Sequence, residues 1–248
     1  MNFLKIFKFD FMNILKNPNL VLANTLLPVT LILVMGTITK SRFGAGNVSS
    51  YQYYALNMII FSVSLIAMTA SNTFMEEKVK KGNTRIVYAP VSKTEIYLSK
   101  LLSTYVFGMI AYTLLLLGGQ YLFHLNFGKE NIWYIIAVVN VFALLGCSLG
   151  TLACCLFHSE EKANAALQLP VALFLFFGGV FFAVHRMGRI ILFLSGISPV
   201  KWVATSAVEI IYDNDFHLFF PVIIILSAIS LFCIFLCEIV FKPEEYVC

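Results

Sequence analysis

Charged side chains are what this sequence has least of. It holds 17 Lys and Arg and 13 Asp and Glu among 248 residues, 12% of the chain, against about 25% in a soluble domain. So few charges cannot cover a water-facing surface of normal size, which excludes an ordinary soluble enzyme or binding module. The six cysteines (Cys147, Cys154, Cys155, Cys233, Cys237 and Cys248) never form the CxxC spacing of a zinc site. All but the last lie in apolar runs, where a thiol acts as a small hydrophobe. No metal or bound cofactor is expected. No phosphate-binding G-x-x-x-x-G-K-[ST] occurs: Gly128-Lys129 lacks both the upstream glycine and the hydroxyl residue. No cleavable leader is expected either, because no small-residue cleavage site follows Lys5, Lys8 and Lys16.

What is present is apolar length. Hydrophobic residues make up 60% of the chain, gathered into runs near the roughly 20 residues that cross a bilayer as helix. The expected fold is all-α, a single polytopic domain over 1–248 with six transmembrane helices at about 20–38, 54–74, 100–123, 133–156, 165–184 and 218–240. Residues 1–17 are not a span. Lys5, Lys8, Asn13 and Lys16 share one face of a helical wheel, and Phe3, Leu4, Phe7, Phe11, Ile14 and Leu15 cover much of the rest. That pattern predicts an amphipathic helix lying in the membrane interface, lysines toward lipid headgroups. Asp10 lies off the polar face and weakens the pattern.

A cytoplasmic N-terminus puts eleven of the 17 Lys and Arg inside and six outside. The positive-inside bias then predicts a multi-pass plasma-membrane protein with both termini cytoplasmic. In that topology 185–217 is extracellular. Ser198-Pro199 has the N-cap/N1 order of a helix start, and Asp213-Asn214-Asp215 ends the apolar stretch. Short helices re-entering the outer leaflet are expected, with Arg186, Arg189, Lys201 and Trp202 at their edges.

The loop between the second and third spans carries the most specific pattern. Glu76-Glu77-Lys78-Val79-Lys80-Lys81 extends a helix past the membrane, Gly82 is a C-cap stop, and Pro90 blocks continuation. Ser92 and Glu95 form a capping box that starts the next helix. The result is a stiff charged elbow over 75–92. Glu76, Glu77, Gly82, Thr84, Pro90, Ser92, Glu95 and Lys100 resemble the signature of ABC-2 type (type 2, type V) exporter permeases, with Asn83 as one extra residue between Gly82 and Thr84. Ser198-Pro199-Val200-Lys201-Trp202 resembles that family's Pro-x-x-Trp stretch.

The resemblance implies that 75–92 is a coupling helix docking on a separate nucleotide-binding subunit, which would bind the ATP and Mg. Glu76, Glu77, Lys80 and Lys81 would then pair with charges on that subunit, with Gly82, Thr84, Pro90 and Ser92 shaping the elbow. Glu160 and Glu161, in the short link after the fourth span, are second contact candidates. It also implies a partner permease, a second copy or a paralogue, embedded in membrane lipid. Nucleic acid has no place in this reading.

The expected pathway residues are Asn24, Asn57 and Ser64 among the hydroxyls and amides, with Phe174, Phe177 and Phe181 among the aromatics. No span carries a charge in its middle, and only Glu238, near the inner end of the last span, qualifies as an intramembrane ionisable group, which disfavours a bare metal ion as cargo. An amphipathic or hydrophobic substrate fits better, and the resemblance points to a peptide or peptide toxin of the phenol-soluble-modulin kind. Two other readings stay open. One is an integral-membrane enzyme, suggested by Gly146-Cys147-Ser148-Leu149-Gly150, which matches G-x-S-x-G. That match sits in an apolar helical run rather than a strand–turn–helix, so a small-residue packing seam is expected there. The other is an immunity protein that sequesters a peptide without moving it.

Overall fold

A computed structural model describes residues 2–40, 49–75, 91–181 and 188–242. Every regular element among them is helical: α1 (Asn2–Lys16), α2 (Pro18–Ile38), α3 (Ser50–Ser64), α4 (Ile66–Met75), α5 (Lys93–Leu122), α6 (Ile132–Phe157), α7 (Glu160–Phe177), α8 (Arg189–Ile197), α9 (Pro199–Val208) and α10 (Phe219–Val240), with a 3-10 turn at Lys129–Asn131 and a π-helical turn at Glu209–Asp213. The protein is a polytopic α-helical membrane protein.

Five helical stretches are long and apolar enough to cross a bilayer: Pro18–Ile38, Ser50–Met75, Lys93–Leu122, Lys129–Phe157 and Phe219–Val240. The second of these is α3 and α4 run together through a break at Leu65. α7 falls short by composition, since its first turn carries Glu160, Glu161 and Lys162. Connectivity nevertheless takes it across the bundle. Its start meets Ser71 and Asn72 at the end that holds α1, and its finish meets Ser198 at the far end. At 1.5 Å per residue its 18 residues cover about 27 Å. Relative to the expected fifth span of 165–184, the helix starts and stops earlier, and 182–187 lie outside the described residues.

α8 and α9 stand 88° apart. Because α7 ends and α10 begins at the far end, this bent pair turns back there. Pro199 occupies the first turn of α9 as expected, but Ser198 makes no capping bond. Its buried hydroxyl donates to the Phe174 carbonyl at 2.7 Å, tying the α8–α9 corner to α7. Ser198→Ala is expected to lower stability by about 1–2 kcal/mol, read as a drop in unfolding temperature of the purified protein.

α6 is the axis of the bundle and packs against α3, α4, α5, α7, α9 and α10. Lipid gives little hydrophobic drive between helices, so close backbone approach must supply cohesion. Gly146 and Gly150 allow it. A Cβ on Gly150 would stand 2.1 Å from the Ala67 carbonyl oxygen, and one on Gly146 would stand 2.6 Å from Ile66 Cγ2. The G-x-S-x-G match is therefore a helix seam. Ser148 between the glycines is buried and donates to Leu145 O within its own helix. The outward faces of α2 and α10 are apolar, with Leu22, Leu26, Phe220, Ile224 and Phe235 all exposed, as a lipid-facing surface requires.

Candidate functional site

Polar groups in this apolar bundle gather at the α1 end, next to both ends of the 76–90 segment. That segment lies outside the described residues. With it go Glu76, Glu77, Lys80, Lys81, Gly82, Thr84 and Pro90. Its flanks are placed. Ser92 caps α5: its hydroxyl accepts from Glu95 N, and the Glu95 carboxylate accepts from Ser92 N at 3.1 Å. Met75, at the other flank, is buried.

Three polar links leave these flanks. The first runs from α4 to α7: Ser71, Asn72 and Asn164 form one hydrogen-bonded group, with 2.8 Å between the two asparagine amides. The Glu160 carboxylate lies 2.9 Å from the Asn72 amide. The two contact candidates after α6 thus part company: Glu160 turns inward against α4, while Glu161 is exposed. The second link joins α5 to α10 at Glu238. Thr94 and Tyr97 donate to its carboxylate at 3.0 and 2.8 Å, and the Lys93 ammonium lies 3.3 Å from the other oxygen.

The third link joins α5 to α1. Lys100 Nζ lies 3.0 Å from Asp10 Oδ1, and both side chains are only 1% exposed. Ser99 adds a donor 3.4 Å from Oδ2. This corrects two expectations. Asp10 is no blemish on an interfacial helix: with Ile6 and Ile14 it forms the stripe that α1 buries, at i, i+4 and i+8. Glu238 is likewise not alone as an ionisable group in the apolar region. The sequence does hold a signal for the pair, since an acid on the apolar side of an amphipathic helix needs a buried cation.

The expected pathway residues separate. Asn24 is consumed by packing: its amide donates to Leu20 O and Thr69 Oγ1, and the Tyr112 hydroxyl donates to its oxygen at 2.7 Å. Ser64 donates to Ile60 O within α3. Asn57, by contrast, lines a half-open cavity of about 320 Å³ at the far end, between α3, the end of α7 and α9. Gly178 and Gly179, which follow Phe177, also line it. Phe181 stacks edge-on against Phe61 of α3, Phe177 against Phe176, and Phe174 packs on the core beside them. The amide and the aromatics are brought to one region, while Asn24 and Ser64 are not. A second cavity, of about 470 Å³, lies between α2, α3 and α5 and is lined mostly by aliphatic and aromatic side chains, with His124 and Ser49 at its polar part.

The loop around the far end is held by Asn131, which donates to Asn214 at 2.7 Å, and by Asp215, which accepts from the His217 backbone N–H. That backbone bond, aided by the imidazole 3.1 Å away, holds the Asp215 carboxyl below its ordinary range.

A helical membrane bundle, with its polar ties concentrated at one end and a cavity at the other, has the build of a transport subunit. The chain belongs to the ABC-2 type transporter family, whose pattern matches residues 1–212. It is 27% identical over 178 residues to the linearmycin resistance permease protein LnrN of Bacillus subtilis (strain 168), an alignment that covers 72% of this chain and 46% of that permease. The chain thus spans less than half the length of this relative. Membership places it among membrane transport proteins, and the family as a whole works with an ATPase partner in dimeric assemblies.

Proposed function

We propose that this chain is the membrane half of an ATP-driven exporter, in which a separate ATPase subunit pushes on residues 75–92 from the cytoplasm. Both termini lie on that side. Two permease chains, identical or paralogous, enclose the path. The cargo is an amphipathic or hydrophobic molecule, best a peptide. That one relative is a resistance permease fits outward transport of a harmful compound.

The observation that carries this reading is the convergence of polar links on the flanks of the 76–90 segment. The last turns of α4 reach α7 through Asn164, and the first turns of α5 reach α10 through Glu238 and α1 through Asp10. A force delivered between Met75 and Val91 is therefore shared at once among the surrounding helices. Stiff elements with discrete hydrogen-bonded arrangements carry such coupling; flexible loops do not.

The test is the double variant Glu76→Ala/Glu77→Ala, reconstituted with the ATPase subunit in lipid vesicles. Export is expected to fall at least about tenfold, the loss of one or two charge-assisted contacts, with membrane insertion unchanged. Export at the level of the unaltered protein would refute the coupling role.

A further inference from the structure

One wall of the far-end cavity carries a cation. Lys201, on the first turn of α9, lines it. Among the described residues no carboxylate lies within ion-pair distance of the Lys201 ammonium. The other polar residues of the lining are uncharged: Asn126 accepts from the Gly128 backbone N–H, and Gln52, Tyr53, Asn57, Thr205 and Tyr212 complete the set. The remaining wall is apolar, from Leu56 on α3 and Val208 and Ile211 beyond it. The π-helical turn at Glu209–Asp213 brings both Ile211 and Tyr212 to the cavity, and such turns recur at functional sites.

A cation on the wall of a half-enclosed cavity that also presents apolar side chains gains most from an anion that arrives with its own apolar body. We propose that this cavity binds an amphiphile with an anionic head, a carboxylate or a phosphate on an apolar chain, and that Lys201 reads the head. As a statement about cargo this deepens the export reading and rests on it; the binding itself does not require an ATPase.

The experiment uses the full chain in phosphatidylcholine nanodiscs without any ATPase subunit. Trp133→Phe leaves Trp202, the neighbour of Lys201, as the single tryptophan. The probes are dibromostearate, dibromostearyl phosphate and dibromostearyl alcohol, whose bromines quench a nearby indole. Saturable quenching is expected from the two anions, with the alcohol about tenfold weaker. Lys201→Gln brings the anions down to the level of the alcohol. Lys201→Arg retains them, and Lys129→Gln, a cation at the same end, leaves them unchanged.

Equal binding of the alcohol, no effect of Lys201→Gln, or the same loss from Lys129→Gln would overturn the proposal. Adding phosphatidylglycerol to the nanodisc separates two sources of the same chemistry. Competition with stearate identifies a bilayer lipid as occupant, and undiminished binding identifies a free solute. Because no nucleotide is present, failure here leaves the Glu76/Glu77 test standing, and failure there leaves this one standing.

Discussion

Asp10→Leu alone, or Lys100→Met alone, is expected to lower stability by about 3–5 kcal/mol, and the two together by far less. Both side chains are 1% exposed and their charges lie 3.0 Å apart. Removing one partner leaves the other buried without its counter-ion, and no second one lies beside it among the described residues. Ser99 at 3.4 Å can solvate Asp10 only weakly. Replacing both with apolar groups of similar volume removes the desolvation cost along with the attraction. The four proteins form a thermodynamic cycle, measured by unfolding in detergent, and the coupling energy is its non-additive part. Additive losses would show that the two groups do not support each other. The single variants should also free α1 from α5, so that trypsin cuts faster at the exposed Lys5, Lys8 and Lys16.

Gly150→Ala is expected to cost about 2–3 kcal/mol, although alanine is the better helix former by about 1 kcal/mol. The added Cβ would lie 2.1 Å from the Ala67 carbonyl oxygen and 2.8 Å from Ala70 Cβ. The first of these is backbone and cannot rotate away, so α4 must move off α6. Gly146→Ala meets the Ile66 side chain at 2.6 Å, which has some freedom to yield. Gly118→Ala on α5 meets nothing closer than Leu122 Cδ1 at 4.0 Å and should be neutral or slightly stabilising. The expected order of thermal stability is Gly118→Ala, then Gly146→Ala, then Gly150→Ala. Equal stability of the first and last would mean that α4 and α6 do not depend on this seam. Because α4 leads into the 76–90 segment, its displacement should depress transport before it unfolds the protein.

Both predictions concern residues that sequence reasoning treated unequally. The Gly146–Gly150 seam was legible because two small residues four apart on an apolar helix already mark a close-packing face. The capping box at Ser92 and Glu95 was legible for a similar reason: its bonds join residues three apart. The Asp10–Lys100 pair was legible only by half: an acid off the polar face of α1 signals a buried cation, but its partner is 90 positions away and the helical wheel of α1 contains no information about α5. Asn24 shows the converse. An amide in an apolar run suggests a pathway, and only the positions of Thr69 and Tyr112 reveal that its hydrogen bonds are spent inside the bundle.

What the sequence determined by itself is therefore periodic or local: the apolar lengths that become α2, α3–α4, α5, α6 and α10, the helical start at Pro199, the capped entry to α5, and membership in a family whose pattern covers residues 1–212. These follow from hydrophobicity and backbone bonding within a few residues, which any single strand of sequence contains. The tertiary structure alone decided which polar groups meet: Asp10 with Lys100, Glu238 with Tyr97, Asn164 with Ser71, and Lys201 with no acidic partner among the described residues. Those pairings depend on how helices far apart in the chain are rotated and stacked. Rotation about a helix axis is set by packing against neighbours, which no residue encodes alone.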